Sequence, residues 1–340
     1  MTIRTLIVDD SATMRAVVAA ALSHDDEIEV VGSADGPIQA RALIKALDPD
    51  VVTLDVEMPG MNGLEFLEKI MRLRPTPVVM ISGLTQHGAE ATVRAFELGA
   101  YDCIAKPVEG AASVSLFSRR LATMVRAAAR SRPRALATAP VAEQAEGYVP
   151  RPGAIIGIGS STGGVEALIE LLRSFPANCP PTVIVQHMPA VFTATFANRL
   201  DRLTAPKVVE ARSGEALMPG TVYLAPGGDL HLEVVGLHAK RCRLVPGDRI
   251  AGHRPSVDHL FHSIAHAAGP SAVGAILTGM GSDGARGLKA MRERGAVTIG
   301  QDRQSCVVYG MPAAARQIDA IHMELPLPRI GPRLLQECIA

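Results

Sequence analysis

The stretch GIGSSTGGVEALIELL, residues 157–172, decides how the second half of this chain is read. An apolar run, Ala154 to Ile158, ends in it, and a helical pattern leaves it with Val165, Leu168, Leu171, Leu172 and Phe175 on one face. Strand, tight glycine turn and helix predict one βα unit of a parallel α/β sheet. The turn admits two chemistries, a cradle for phosphate or a mount for a nucleophilic serine. The dinucleotide pattern G-x-G-x-x-G fits at Gly157 and Gly159 but meets Thr162 in its third place, where a helix must approach a strand closely. No G-K-[ST] follows, so a P-loop fails as well. In the other register, Gly159 to Gly163 reads G-x-S-x-G and sets Ser161 on the turn. Ser160 is the rival nucleophile, and a plain glycine-rich turn is the bland alternative.

Serine needs a base, and the base needs an orienting group. TVIVQHMP puts His187 at the carboxyl edge of the next predicted strand, and AVGAILTGMGSDGARGLKAM puts Asp283 in a turn between a strand and a helix. Parallel strands open their carboxyl ends onto one crevice, so Ser161, His187 and Asp283 form a candidate triad. The order Ser…His…Asp differs from that of α/β-hydrolases, but a triad is defined by geometry. Further strands are predicted at 207–210 and 296–299, and one or two antiparallel hairpins in 221–245, with turns at Gly227-Gly228 and near Gly236. His259, His262 and His266 lie near one helix face, but no ligand at metal spacing completes them. Arg254 is a candidate cationic contact for an acidic substrate.

The first 120 residues repeat the α/β alternation, with strands at Thr5–Val8, Ile28–Ser33, Val51–Leu54, Val78–Ile81 and Asp102–Ile104. They predict a five-stranded, doubly wound parallel sheet. Asp9 and Asp10 end its first strand and Asp55 its third. Three carboxylates in one crevice repel, and a divalent cation such as Mg²⁺ relieves that repulsion. Ser82 offers a hydroxyl at the end of the fourth strand, and Lys106 a cation at the end of the fifth. Between the halves, residues 126–152 are rich in Ala, Pro and Arg without an apolar period, and read as a linker, helical at its start. The expected organisation is 1–125, a 126–152 linker, and a larger α/β domain at 153–340.

Composition narrows the classes. Lys plus Arg equals Asp plus Glu at 34 each, and Trp is absent, so no basic stripe with interleaved aromatics points to nucleic acid. Five scattered cysteines, with no C-x-x-C pair, argue against a disulfide framework. No signal peptide and no membrane-length apolar run is present, and a cytoplasmic protein without membrane insertion is expected.

The set DD…D…MPGMNG…S…KP resembles the receiver domain of two-component response regulators. The resemblance implies phosphorylation of Asp55 by a histidine kinase. It implies Mg²⁺ held by Asp10, Asp55 and the Glu57 carbonyl with help from Asp9, and Ser82 and Lys106 on the phosphoryl group. Receivers usually carry a mobile aromatic shortly before that lysine; Cys103 stands there instead, with Tyr101 further off. A receiver joined by a linker to GxSSTGG…QHMP…HRPSVD…TGMGSDG…SCVVYGMP is similar to the chemotaxis-type protein-glutamate methylesterases. That resemblance implies hydrolysis of glutamate γ-methyl esters on the cytoplasmic helices of chemoreceptors, and deamidation of selected receptor glutamines. Ser161, His187 and Asp283 fall on the family's triad positions, with Thr162 and Met280 at its supporting positions. An unphosphorylated receiver is expected to cover the active site. The alternative from another class is a response regulator whose second domain only binds a partner; His187 with Asp283 is what mere binding does not require.

Overall fold

The computed structural model describes residues 2–58, 62–83, 91, 94–96, 98–107, 110–130, 148–237 and 239–339. The chain divides into two compact units, Met1–Thr138 and Ala139–Ala340. In the first, strands β1 (Ile3–Val8), β2 (Ile28–Ala34), β3 (Val51–Asp55), β4 (Val78–Ser82) and β5 (Asp102–Ala105) form one parallel sheet in the order β2-β1-β3-β4-β5. β3 and β4 are buried at every residue, as central strands covered on both faces must be. Separate clusters pack on the two faces, one around Leu6, Leu54, Leu67 and Met80, the other around Ile7, Leu22, Ile81 and Leu121. The helix Ala111–Arg130 runs through the first residues expected of the linker. Residues 131–147 of that linker lie outside the described residues. Its far end joins the second unit, where Tyr148 Oη donates to the Leu335 carbonyl (3.1 Å) and the Arg151 N–H to that of Cys338 (2.7 Å).

The second unit is built on β6 (Ile155–Ser160), β7 (Thr182–Gln186), β8 (Lys207–Glu210), β9 (Thr221–Leu224), β12 (Ala272–Ile276), β13 (Val297–Gln301) and β14 (Met323–Leu325). They form a seven-stranded sheet in the order β14-β13-β12-β6-β7-β9-β8, with every pairing parallel. Between β9 and β12 the chain makes one antiparallel hairpin, β10 (Leu230–Val235) with β11 (Arg241–Pro246). Residues 221–224 are therefore a strand of the main sheet and not an arm of a hairpin. Gly227-Gly228 carries the chain from that sheet to the hairpin. Thr221–Leu224 reads as a hairpin arm in sequence because its short apolar run lies close to the alternating 230–235 segment. Among the described residues no helix is long and apolar enough to cross a membrane.

β6 is buried along its whole length, and the helix that follows, Gly164–Leu172, turns Val165, Leu168, Leu171 and Leu172 inward. The turn between them needs glycine: Gly163 sits at φ 76°, where a Cβ would also meet Val307 at 2.5 Å. Gly159 has a different task. A Cβ there would lie 2.1 Å from Val257 Cγ1, so its bare backbone lets the head of the helix Val257–Ala268 press against the strand.

Gly159→Ala should therefore force that helix off the sheet. The expected cost is about 1–3 kcal/mol, typical of overpacking a tight core, read as a lower urea midpoint for the second unit. An unchanged midpoint would mean the contact has slack.

Candidate active site

Three adjacent strands deliver the groups. β6 lies between β12 and β7, and the chain leaves β6 on one side and returns as β12 on the other. Ser161 follows β6, His187 follows β7, and Asp283 lies in the turn after β12. That is the switch point of a doubly wound sheet, where crevices form outside the carboxyl ends.

His187 Nε2 is 2.8 Å from Asp283 Oδ2, and both side chains are buried. The carboxylate accepts three further hydrogen bonds, from Ser256 Oγ (2.7 Å), the Val257 N–H (2.8 Å) and the Asp258 N–H (3.0 Å). Ser256 caps the helix Val257–Ala268, so Asp283 sits on that helix's positive end. Burial pushes the Asp283 carboxyl up. The His187 bond and charge and the donors of Asp258 and Ser256 outweigh burial and hold it below the usual carboxylate range. An ionised carboxylate only accepts, so His187 Nε2 carries the hydrogen and the neutral ring keeps its lone pair on Nδ1. Nδ1 is buried and has no hydrogen-bond partner among the described residues.

Gln186 holds the serine and the histidine together. Its Nε2 donates to the carbonyls of Ser161 (2.9 Å) and His187 (3.2 Å), and the His187 N–H donates to the Ser160 carbonyl (3.1 Å). Its Oε1 accepts from Ser160 Oγ at 2.6 Å. Ser160 is thereby fully buried and committed to Gln186, which separates the two candidate serines. Ser161 Oγ makes no hydrogen bond among the described residues. The Ser161 N–H donates to the Thr278 carbonyl (3.0 Å), so it is spent. The backbone N–H groups of Thr162 and Met280 have no partner among the described residues. Gly279 approaches so closely that a Cβ on it would lie 2.8 Å from Ser161 Cβ, which brings the neighbouring Met280 to the serine.

Two residues differ from what the sequence implied. Arg254, the candidate cationic contact for an acidic substrate, is engaged within the fold. Its Nε donates to the Gly228 carbonyl (3.2 Å), Nη1 to that of Gly247 (2.6 Å), and Nη2 pairs with Asp229, so the guanidinium ties three loop positions together. His253, the first residue of HRPSVD and given no role in the sequence reading, stacks on His187. Two of the three histidines of the helix Val257–Ala268 are engaged within the fold. His259 bonds Glu233 (2.8 Å), and His266 Nδ1 donates to the His262 carbonyl (2.8 Å). They line a cavity of about 410 Å³, but form no cluster tight enough for a metal among the described residues.

The first unit gathers its own charges. Asp9, Asp10 and Asp55 each offer a carboxylate oxygen within 4.8 Å of the others. Lys106 Nζ lies 2.9 Å from Asp55 Oδ2 and 3.5 Å from Asp9 Oδ2. Burial, helped by the Asp9 charge, pushes the Asp55 carboxyl up to about 6 against the pull of Lys106. Burial likewise raises that of Asp9. One ammonium against three carboxylates leaves net negative charge, and Asp9 Oδ2 and both Asp55 oxygens lack a well-aligned hydrogen-bond donor. That donor set fits a hard divalent cation. Ser82 ends β4 beside the cluster's strand. Cys103 is half-buried on β5, and Tyr101 packs against the cluster around Ile7, Leu22, Ile81 and Leu121.

Residues 156–334 match the family model described as CheB methylesterase, and residues 5–116 that of the response regulator receiver domain. The chain belongs to the CheB methylesterase family. It is 58% identical to the protein-glutamate methylesterase/protein-glutamine glutaminase 1 of Caulobacter vibrioides, covering 98% of this chain and 97% of that one. It is 56% identical to the corresponding protein of Agrobacterium fabrum, covering 98% and 96%. Among solved structures, the CheB methylesterase catalytic domain of Thermotoga maritima matches at 38% identity with a TM-score of 0.53, covering 54% of this chain and 98% of that domain. The enzyme class shared with these relatives is protein-glutamate methylesterase and protein-glutamine glutaminase, a hydrolase joined to a response-regulator receiver. Gln186 and His253 sit inside the family motifs QHMP and HRPSVD, where attention falls first on the histidine of one and the arginine of the other. The signal that could have found Gln186 is a polar residue at the buried end of an apolar strand.

The raised Asp55 carboxyl has a stability consequence. Between its ordinary 3.8 and about 6, the native state keeps a proton that the unfolded chain has released, so stability falls as pH rises through that window. Asp55→Asn should be more stable than wild type at pH 7, by about 1–3 kcal/mol. The gain should vanish below pH 4 and shrink when millimolar Mg²⁺ is present. Urea unfolding at the two pH values measures it; the same offset at both would mean that the carboxylate is not under strain.

Proposed function

We propose that this enzyme is a phosphorylation-activated hydrolase that removes γ-methyl groups from glutamates on the cytoplasmic helices of chemoreceptors and deamidates selected glutamines there. The observation that carries the reading is a buried imidazole with one nitrogen bound to an ionised Asp283 and the other unpartnered, one strand away from Ser161. Ser161 Oγ attacks the side-chain carbonyl, and His187 Nδ1 takes its proton. The N–H groups of Thr162 and Met280 receive the oxyanion. As the tetrahedral intermediate collapses, His187 returns the proton to the leaving group, which departs as methanol from an ester or ammonia from an amide. Water then enters by the same general-base route and frees Ser161. The Ser161–His187 hydrogen bond forms with substrate in place, since such bonds tighten in the Michaelis complex. The product carboxylate is ionised at neutral pH and a poor electrophile, so the reaction runs one way. Acyl transfer of this kind requires no cofactor.

In the receiver, a chemotaxis histidine kinase donates a phosphoryl group to Asp55. Asp9, Asp10, Asp55 and the Glu57 carbonyl would hold Mg²⁺, which when bound neutralises charge around the incoming phosphoryl group. Lys106 pairs with that group and Ser82 bonds it. Residues 1–125 are the regulatory part, 126–152 the connection and 153–340 the catalytic part, and the protein works in the cytoplasm.

Methanol release from methylated receptor, with and without a small phosphodonor, tests both halves. Ser161→Ala should lose on the order of 10⁴- to 10⁶-fold in rate, while Ser160→Ala keeps most activity. Asp55→Asn should stay at the basal rate whatever the donor. An active Ser161→Ala would sink the triad; stimulation of Asp55→Asn would sink the phosphorylation site.

A further inference from the structure

The His253 ring lies flat on His187, with centroids 3.7 Å apart and planes within 1°. The loop that carries it is pinned from both sides. On one side, Arg254 ties the loop to Gly228, Gly247 and Asp229. On the other, His231, buried on β10, donates from Nε2 to the Asp248 carbonyl (2.9 Å) and accepts the Ser256 N–H at Nδ1 (3.1 Å). Within the loop the backbones of Ile250 and His253 pair with each other, at 3.1 and 2.9 Å. These contacts place one side chain, and they place it against the imidazole that the proposed reaction uses.

The bond from His187 Nε2 to Asp283 fixes one point of the ring. It leaves the ring free to swing about the line from its Cβ through that bond, and such a swing moves the Nδ1 lone pair out of line. A parallel ring at stacking distance opposes that motion without taking either nitrogen. We propose that His253 is a positioning residue, whose stacked ring holds the His187 imidazole at the angle from which Nδ1 takes the Ser161 proton. Arg254 belongs to the same device, since it fixes the backbone on which His253 stands. The inference rests on the triad reading above and goes beyond it. It concerns orientation of the base, so its loss should lower turnover and leave substrate binding alone.

The test uses the full chain and methanol release from methylated receptor. His253→Ala should lower kcat by about 10- to 100-fold, the scale of a small misplacement of a catalytic group, with KM within about twofold. His253→Phe restores a flat ring with no titratable nitrogen, and should recover kcat to within about threefold of wild type. Arg254→Ala should lower kcat in the same sense. If His253→Ala does not fold, His253→Leu, apolar but not flat, takes its place. A wild-type kcat in the Ala or Leu variant, a change carried by KM, or a Phe variant no better than Ala would each overturn the proposal. Methanol release from wild type and none from Ser161→Ala keeps the two claims apart. If wild type itself releases none, the esterase reading falls and this inference with it.

Discussion

The Asp283 carboxylate is the constraint on which the catalytic unit depends. It is fully buried, and it stays ionised because four donors surround it: an imidazole N–H, a hydroxyl and two backbone N–H groups at a helix head. A buried charge without such partners costs several kcal/mol. Here the same contacts that stabilise it do structural work. They cap the helix Val257–Ala268, tie the β12 turn to that helix, and set the tautomer of His187.

Close backbone approach lets that carboxylate reach its partners. Gly159 admits the Val257 side chain against β6, and Gly287 of the helix Ala285–Glu293 lies so near Asp258 that a Cβ would meet its carbonyl at 2.6 Å. Gln186 then couples β6 to β7 by bonding the carbonyls of Ser161 and His187 at once. Ser161, His187 and Asp283 are thus held by three adjacent strands, none of which can shift alone. The hairpin and the 247–256 loop add a fourth side, with Arg254 and His231 as fasteners.

The two units use buried carboxylates in opposite ways. In the catalytic unit, hydrogen bonds outweigh burial and Asp283 is kept charged. In the receiver, burial and a neighbouring acid outweigh Lys106, and Asp55 is pushed up. The first arrangement suits a permanent electrostatic partner. The second leaves a strained site that gains from neutralisation, by a cation or by a change at the carboxylate itself.

Sequence by itself determined the α/β class of both halves, because buried parallel strands must be short apolar runs and their helices must carry an apolar face. It also put Ser161, His187, Asp9, Asp10, Asp55 and Lys106 at the ends of parallel strands and Asp283 in the turn after one, because those positions follow from where each apolar run stops. It misread residues 221–224, whose pairing depends on which strand lies alongside and not on local pattern. Only the tertiary structure distinguished Ser160 from Ser161, by the Gln186 contact that engages Ser160 alone from another strand. Only it showed Arg254 bonded to Gly228, Gly247 and Asp229, and laid His253 on His187. Those roles are set by groups distant in sequence, and no spacing within a motif encodes a contact across a fold.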